Sequence, residues 1–189
     1  RENFDYFDLN VYDEDFFEEG SDVSARSNAK IALERAINFV QNFKVKGGNL
    51  LLLGRTGCGK TFLSNCVAKA LLDQGISVIY FTSSELFRVF EEQTFKKNAD
   101  VADLHDHIFD CDLLIIDDLG TEFQNSFTTA RLFQCLNERL LRNKSTIIST
   151  NLSLEEMRDT YSERITSRVF SNYDVIKLIG EDIRIKKVI

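Results

Sequence analysis

Residues 49–61 read NLLLLGRTGCGKT, a short aliphatic run followed by a glycine-rich turn that ends in a lysine and a threonine. The turn matches the pattern GxxxxGK followed by Ser or Thr, in which backbone N–H groups point inward at an anion. A helical pattern begins at Lys60, so the positive end of a helix dipole would face the same anion. This succession of strand, turn and helix predicts a phosphate-binding loop.

The same loop predicts a nucleotide site with a metal ligand. The expected nucleotide is ATP or ADP. Lys60 is expected to reach the β- and γ-phosphates of ATP, and the Thr61 hydroxyl is expected to ligate Mg²⁺. The glycines allow the backbone to bend around the phosphates. The residues expected to contact the nucleotide are Gly54, Arg55, Thr56, Gly57, Cys58, Gly59, Lys60, Thr61 and Phe62. The alternative, a glycine-rich turn without a ligand, is disfavoured by the strand before it and the helix after it.

Outward from this loop, aliphatic runs alternate with helical patterns along the chain. The predicted strands are residues 49–54, 77–82, 112–117, 145–150 and 173–178. Helical patterns run from Ser24 to a KGG stop at 46–48, and then fill each interval between strands. Runs that are apolar on both faces are typical of parallel strands covered by helices on each side. We therefore predict an α/β fold of three layers around a five-stranded parallel sheet.

The third predicted strand ends in two adjacent acids, within the sequence DLLIIDDLGTE at 112–122. Neighbouring residues in a strand face opposite ways, so Asp117 and Asp118 are expected to have different tasks. Both lie at the carboxyl edge of the sheet, where ligands bind in open α/β folds. Asp117 is the expected partner of the Mg²⁺ held by Thr61, and Asp118 is expected to orient an attacking water. A pair of solvated turn aspartates is the alternative.

Composition places the chain among single folded domains and removes a membrane role. Of 189 residues, 43% are hydrophobic and 28% are charged, which suits one domain with a sizeable core. The net charge of −7 is concentrated in residues 1–22, which hold nine acidic residues and one basic residue. The nearly neutral remainder neither excludes nor supports a nucleic-acid partner.

No apolar run approaches the roughly 20 residues that span a bilayer, and no signal-peptide pattern opens the chain, so we expect a cytoplasmic protein.

Two units are expected along the chain. Residues 1–23 are predicted to form an acidic, extended arm that Phe4, Phe7 and Phe16 hold against the body, and residues 24–189 an ATP-binding domain. The four cysteines contain no CxxC pair, so we expect reduced core residues rather than disulfides or a zinc site.

Several motifs together resemble the AAA+ ATPases: the phosphate loop, the strand ending in two aspartates, a fourth strand ending in STN, and a late SR pair. More narrowly, NLLLLGRTGCGKTFLSNCVAKALLDQGISVIYFTSSEL, LLIIDDLGTE and SERITSRVF resemble the replicative-helicase loaders of the DnaC and DnaI type. They resemble transposition helper ATPases of the IstB type more distantly. The likeness extends from about Phe4 to Lys187.

The resemblance implies roles for residues outside the loop. Asn151 matches the sensor-1 position and would help to polarise water near the γ-phosphate. Arg168 matches the arginine finger, which acts on the nucleotide of a neighbouring subunit and ties turnover to self-association. Arg164 lies one helical turn earlier on the same face and is a second candidate. The alternative for both arginines is a solvated face or ion pairs with Glu163 and Asp159.

The chain also departs from the AAA+ pattern at two places. Most members carry Glu at the position of Asp118, and the shorter Asp implies slow hydrolysis. Glu122 is a possible substitute, although the four-residue gap leaves its direction open. Arg184 matches a late arginine that senses nucleotide, but the chain ends soon afterwards, so a minimal or absent lid domain is expected.

The resemblance implies a protein that uses ATP as an assembly switch to load a hexameric replicative helicase onto single-stranded DNA. The helicase-binding domain is expected upstream of Arg1. Candidate DNA contacts are Arg88, Phe95, Lys96 and Lys97, for which a solvated helix face is the alternative. Other functional hypotheses are a transposition helper that binds DNA and recruits a transposase, a small-molecule kinase, and a nucleotide-binding scaffold that scarcely hydrolyses ATP.

Overall fold

The computed structural model of the protein describes residues 2–95 and 99–186. Its centre is a five-stranded sheet in which all paired strands are parallel, with the spatial order β2-β3-β4-β1-β5. The strands are β1 (Leu50–Leu53), β2 (Val78–Thr82), β3 (Leu113–Leu119), β4 (Ser145–Thr150) and β5 (Asp174–Lys177). The predicted α/β fold with five parallel strands is confirmed.

Eight α-helices accompany these strands within the described ranges. They are α1 (Ala25–Lys46), α2 (Lys60–Leu72), α3 (Ser83–Phe95), α4 (Ala99–Asp110), α5 (Ser126–Leu141), α6 (Leu154–Tyr161), α7 (Glu163–Asn172) and α8 (Ile183–Lys186). The helical pattern predicted over 153–171 is divided at Ser162, whose φ of 82° lies in the left-handed region. After β5, the described chain contains the four-residue α8. No helix among the described residues is long and apolar enough to cross a membrane.

The three central strands β1, β3 and β4 are buried on both faces, as their aliphatic runs predict, whereas the edge strands β2 and β5 are partly exposed. In β1, Leu50 and Leu52 belong to the core formed with α1 and α2, whereas Leu51 belongs to the core on the opposite face. In β3, Leu113 and Ile115 face α1 and α2, and their neighbours face the other way. This alternation produces the three layers. The four cysteines are buried and free, as expected.

The acidic arm is not extended. It folds into turns that pack on the core between the sheet and helices α1 and α2. It forms two 3₁₀ turns, Phe4–Tyr6 and Leu9–Val11, each started by a side chain that accepts backbone N–H groups. Phe7 is buried, and its ring stacks on Tyr12 with 5.8 Å between centroids. Phe4 and Phe16 pack against the same core, so the predicted aromatic contacts are present. The prediction of an extended arm is therefore wrong, because the side chains of Asn3 and Asp8 cap local turns.

Candidate nucleotide site

The carboxyl ends of β1, β3 and β4 border one cavity of about 670 Å³. Ligands bind at this edge of open α/β sheets, and the cavity contains both the phosphate loop and the paired aspartates. Its lining residues are Glu2, Thr56, Gly57, Gly59, Lys60, Thr61, Phe62, Asp117, Asp118, Thr121, Asn151, Ile183 and Arg184. Gly54, Arg55 and Cys58 do not line it, and they contribute backbone carbonyl groups to the surrounding hydrogen bonds.

Lys60 is the central cation of this site. The side chain is buried, and Nζ donates to the carbonyl oxygens of Gly54 at 2.8 Å and Arg55 at 2.9 Å. It also donates to Oδ1 of Asn151 at 2.6 Å. Asn151 follows directly after β4, so the structure brings the predicted sensor-1 side chain to the ammonium group. These acceptors hold the charge at the mouth of the loop, where phosphates would meet it.

Tyr12 contacts the phosphate loop, and this contact was not predicted from the sequence. The Tyr12 hydroxyl donates to the Cys58 carbonyl oxygen at 3.0 Å. It also packs on Gly59, where a Cβ would lie 2.4 Å from the hydroxyl oxygen. Gly59 has a φ of 101°, so this position requires glycine for both its conformation and its close contact. Burial raises the pKa of Tyr12, which therefore stays a neutral donor.

Asp117 faces α2 because it continues the set of β3 residues that point to that side of the sheet. Its Oδ2 accepts hydrogen bonds from the Thr61 hydroxyl at 2.9 Å and the Tyr80 hydroxyl at 2.8 Å. Its Oδ1 accepts from the Ser149 hydroxyl. Tyr80 and Ser149 come from the neighbouring strands β2 and β4 and were not identified from sequence. Three hydroxyl donors keep this buried carboxylate oriented and compensate for its lost hydration.

The oxygen atoms of Thr61 and Asp117 fit a magnesium ion. Mg²⁺ prefers oxygen ligands and is commonly bound by one or two protein groups together with substrate phosphates and water. Among the residues that the structure describes, no cluster of three or more His, Cys, Asp or Glu side chains forms a self-contained metal site. The two oxygen ligands therefore suit an ion that arrives with a nucleotide.

Asp118 reaches the same cavity through an irregularity in the strand. The register of β3 against β4 shifts between Ile116 and Leu119, and Asp118 has a φ of 53°. Its N–H donates to Oγ of Ser149 at 3.0 Å, which fixes this left-handed conformation. Strict alternation would turn the side chain to the far face, so the irregularity aims it back. Burial first, and then the charge of Asp117, raise the pKa of Asp118.

Glu122 differs from the expectation that it substitutes for Asp118. Its carboxylate is buried and does not line the cavity. Oε2 accepts from the Gly120 N–H at 2.9 Å, and Oε1 accepts from the Tyr161 hydroxyl and from Gln124. Because both oxygens are engaged away from the phosphate loop, this side chain does not present a base to the site.

Arg164 and Arg168 lie outside the nucleotide cavity of their own chain. They line a second cavity of about 720 Å³ along α7, together with Phe133 of α5. Cζ of Arg168 lies 5.5 Å from the centroid of the Phe133 ring, a cation–π contact. Within the described ranges, no salt bridge joins either arginine to Glu163 or Asp159. Neither guanidinium group therefore faces the nucleotide site of its own chain.

Arg184 lines the nucleotide cavity from the segment after β5. Its guanidinium donates to both carboxylate oxygens of Asp182, at 2.9 and 2.6 Å. The Ile183 N–H donates to the Gly57 carbonyl oxygen at 3.0 Å, so this segment closes directly over the phosphate loop. A Cβ on Gly57 would lie 2.0 Å from Oδ1 of Asp182.

The structure describes two of the four candidate DNA contacts, Arg88 and Phe95. Arg88 is exposed on α3. Phe95 is 75% exposed at the end of the same helix, and its ring centroid lies 5.8 Å from that of Phe127. Lys96 and Lys97 lie outside the described residues.

The phosphate loop, the paired aspartates, the asparagine after β4 and the strand order define a P-loop NTPase of the AAA+ class. Residues 10–188 match the family described as IstB-like ATP binding protein. The chain belongs to that family.

Individual relatives agree with this assignment. Over 138 residues the chain is 25% identical to the replicative helicase loader DnaC of Escherichia coli strain K12, a match covering 73% of this chain and 56% of DnaC. The chain thus spans about half the length of the curated DnaC relatives it matches.

Two solved structures share the fold. The crystal structure of the DnaC helicase loader superimposes with a TM-score of 0.71 at 22% identity, covering 93% of this chain and 98% of that one. The replication initiator DnaA bound to AMPPCP and single-stranded DNA gives a TM-score of 0.71 at 19% identity, covering 93% and 52%. The predicted resemblance to AAA+ domains of the DnaC type is confirmed.

Proposed function

We propose that this chain binds and slowly hydrolyses ATP with Mg²⁺, and that nucleotide state controls its assembly as a replicative-helicase loader on single-stranded DNA. The observation that carries the proposal is the convergence of Lys60, Thr61, Asp117 and Asn151 on one cavity, with direct hydrogen bonds between Lys60 and Asn151 and between Thr61 and Asp117. Membership of a family of ATP-binding proteins supports the same reading.

The residues have separate tasks in this proposal. When bound, ATP would supply the phosphoanhydride bond that is broken, and Mg²⁺ would neutralise part of the negative charge of the phosphates. Lys60 binds the phosphates, and Thr61 and Asp117 hold the ion. Asp118 accepts the proton of the attacking water, and its raised pKa brings its basicity closer to what that transfer requires. Asn151, which is exposed and borders the cavity, orients the water near the terminal phosphate.

Assembly enters because Arg168 and Arg164 are absent from the cavity of their own chain. An arginine supplied by a neighbouring subunit stabilises the charge of the transition state and makes turnover depend on association. The open groove beside Phe133 holds Arg168 at the surface of α7, where a second subunit can approach. Self-association into an ATP-dependent oligomer is therefore part of the proposal.

Helicase loading and DNA binding are proposed from the relatives. DnaC carries the name of a replicative helicase loader, and the DnaA structure contains single-stranded DNA. On this chain, the exposed ring of Phe95 and the guanidinium of Arg131, whose Cζ lies 5.3 Å from the Phe127 centroid, offer stacking and charge to a single strand. Arg88, Lys96 and Lys97 remain candidate contacts. The helicase-binding domain that the resemblance implies upstream of Arg1 also remains a proposal.

The test is the ATPase rate of full-length protein, measured alone, with oligo(dT), and with the cognate replicative helicase. We expect a low basal rate that rises with DNA or helicase and falls to background in Arg168→Ala, whereas ATP binding by that variant is unchanged. A rate that neither additive changes, and that Arg168→Ala does not lower, would contradict the assembly switch.

A transposition helper that coats DNA and recruits a transposase is the second candidate function. The match of residues 10–188 to IstB-like proteins favours it. The two functions predict different preferences, because a loader needs single-stranded DNA and a helicase whereas this helper needs DNA and a transposase. ATP-dependent filaments on duplex DNA, without stimulation by helicase, would select the second candidate.

A further inference from the structure

Glu122 and Tyr161 form a buried pair between the nucleotide-binding edge of the sheet and the helices that follow β4. The Tyr161 hydroxyl donates to Oε1 of Glu122, and Nε2 of Gln124 donates to both side chains, at 2.5 Å to Glu122 and 2.9 Å to Tyr161. Tyr161 has no exposed surface, and burial together with the Glu122 bond raises its pKa. The phenol is therefore a neutral, fixed donor.

On one side, Glu122 controls the turn that carries Asp118. Oε2 of Glu122 accepts from the Gly120 N–H at 2.9 Å. Within the same turn, the Asp118 carbonyl oxygen accepts from the N–H and the hydroxyl of Thr121, at 3.2 and 2.9 Å. Oε2 of Glu122 therefore stabilises the turn that begins at Asp118, the proposed general base.

On the other side, Tyr161 controls the start of α7. It is the last residue of α6, and Ser162 joins the two helices in a left-handed conformation, with a φ of 82°. The Ser162 side chain makes no capping hydrogen bond to α7. The buried residues Ile165 and Val169 hold α7 in the core, and the anchoring of the residue that precedes Ser162 fixes where the helix starts. The positions of Arg164 and Arg168 depend on both.

We propose that Glu122 and Tyr161 are positioning residues that fix α7 against the Asp118 turn, and so aim the arginine that each subunit donates to its neighbour. The inference rests on the proposed function, in which Arg168 acts in trans. It assigns Glu122 a task in turnover that does not require contact with the nucleotide. An arginine misplaced by about 1 Å can lower turnover by about 100-fold, so a lost anchor has a measurable effect.

The variants are chosen to remove the anchor and little else. Tyr161→Phe deletes the hydroxyl and keeps the buried ring. Tyr173→Phe is the matched control, because Tyr173 is a buried tyrosine of the same core at the other end of α7. For full-length Tyr161→Phe we expect turnover about tenfold lower and a dissociation constant for ATP within about twofold of the wild-type value. Turnover of Tyr173→Phe should remain within about twofold of wild type.

Mixed assemblies separate an effect on the donated arginine from an effect on the subunit's own site. Asp118→Asn subunits bind ATP and carry an intact Arg168, but they do not hydrolyse. Tyr161→Phe subunits carry an intact Asp118. In an equal mixture, about one contact in four places an intact site beside an intact arginine, so turnover should rise to about one quarter of the wild-type value. An equal mixture of Arg168→Ala and Asp118→Asn should also reach about one quarter of the wild-type value and serves as the positive control.

The outcomes are distinct. Recovery in both mixtures supports the inference. Wild-type turnover by Tyr161→Phe, or a loss that Asp118→Asn does not restore while the Arg168→Ala mixture recovers, overturns it. Failure of the Arg168→Ala mixture removes the trans arginine itself, and hence the proposed function. If Tyr161→Phe does not fold, Glu122→Gln, which keeps the side-chain volume, is measured in the same mixtures with the same criteria.

Discussion

Oγ1 of Thr61 donates to Oδ2 of Asp117 across 2.9 Å, and this bond connects the first turn of α2 with the end of β3. The two residues lie 56 positions apart in the chain. They meet because β1 and β3 are parallel and deliver their carboxyl ends to the same edge of the sheet. A hydroxyl and a carboxylate at this separation can both turn to one Mg²⁺ with little rearrangement.

Asp117→Asn should therefore remove the dependence of nucleotide binding on Mg²⁺. In the wild-type protein, chelation of Mg²⁺ should weaken ATP binding by about 10- to 100-fold, because the ion links phosphate to Thr61 and Asp117. In the variant, the affinities with and without Mg²⁺ should nearly coincide. Calorimetric titration of ATP at both conditions makes the comparison.

Asp112→Asn is the matched control for this prediction. Asp112 immediately precedes β3 and binds Ser77 and Lys144, so it lies at the opposite edge of the sheet. Its variant should keep the wild-type response to Mg²⁺. A full Mg²⁺ response in Asp117→Asn would reject the proposed ligand.

The strands and the phosphate loop could be predicted from sequence because their signals are local. Four leucines in succession at Leu50–Leu53 report burial on both faces, and the pattern from Gly54 to Thr61 reports a backbone shape that depends on glycine. The meeting of Thr61 with Asp117 also followed, because parallel strands align their carboxyl ends.

The remaining features depend on contacts between distant residues, or on one backbone angle, and no local pattern reports them. Tyr12 reaches the phosphate loop only because the arm folds into turns, and Tyr80 reaches Asp117 only through the pairing of β2 with β3. The direction of Asp118 depends on its φ of 53°. The sequence leaves Glu122 as a possible base, because no local pattern shows that Tyr161 binds it from a helix 39 residues away.

Lys60→Ala should abolish ATP binding at micromolar concentrations. The buried ammonium is the cation nearest the loop carbonyls, and its removal should weaken affinity by at least about 100-fold. Lys69→Ala is the control in the same helix, because Lys69 points to solvent and pairs with Asp73. Both variants should show the circular dichroism of the wild-type protein. Tight ATP binding by a folded Lys60→Ala protein would contradict the phosphate site.

Asp118→Asn should retain ATP binding and lose turnover by about 100-fold or more, because an amide cannot accept the proton of water. In the wild-type protein, turnover requires the ionised carboxylate, whose pKa is raised by burial and by Asp117. Turnover should therefore fall with decreasing pH at a higher pH than an ordinary aspartate, with its pKa of about 3.9, would give. A pH–rate profile measured at saturating ATP checks this. Wild-type turnover in Asp118→Asn would remove the assignment.

The same substitution should raise the melting temperature of the nucleotide-free protein. A raised pKa in the folded state means that the charged form of Asp118 destabilises the fold once the pH exceeds that pKa, and that this cost disappears below the unfolded-state value. Asparagine also tolerates a φ of 53°. At pH 7 we expect a rise of about 1–2 °C, since water screens a half-exposed carboxylate. The rise should vanish near pH 3.5, as calorimetry at the two pH values can show.

Asp182→Asn should tighten ATP binding. The carboxylate lies against Gly57, and hydrogen bonds from Arg184 lower the pKa of Asp182 to about 2, so its negative charge is present beside the phosphate loop at any working pH. Removing this charge frees the Arg184 guanidinium for the phosphates. Affinity should rise by about two- to fivefold at low salt, and the gain should shrink in 0.5 M salt because Arg184 is exposed and Asp182 is partly exposed.

Arg184→Ala should change ATP affinity in the opposite direction, because it leaves Asp182 unneutralised beside the phosphates. Asp73→Asn, which removes an exposed acid paired with Lys69 far from the loop, controls for the change in net charge. Titrations of ATP at two salt concentrations distinguish the cases. If Asp182→Asn and Arg184→Ala both weaken binding, the two residues act as one structural unit that supports the loop, and the electrostatic opposition of Asp182 to phosphate is wrong.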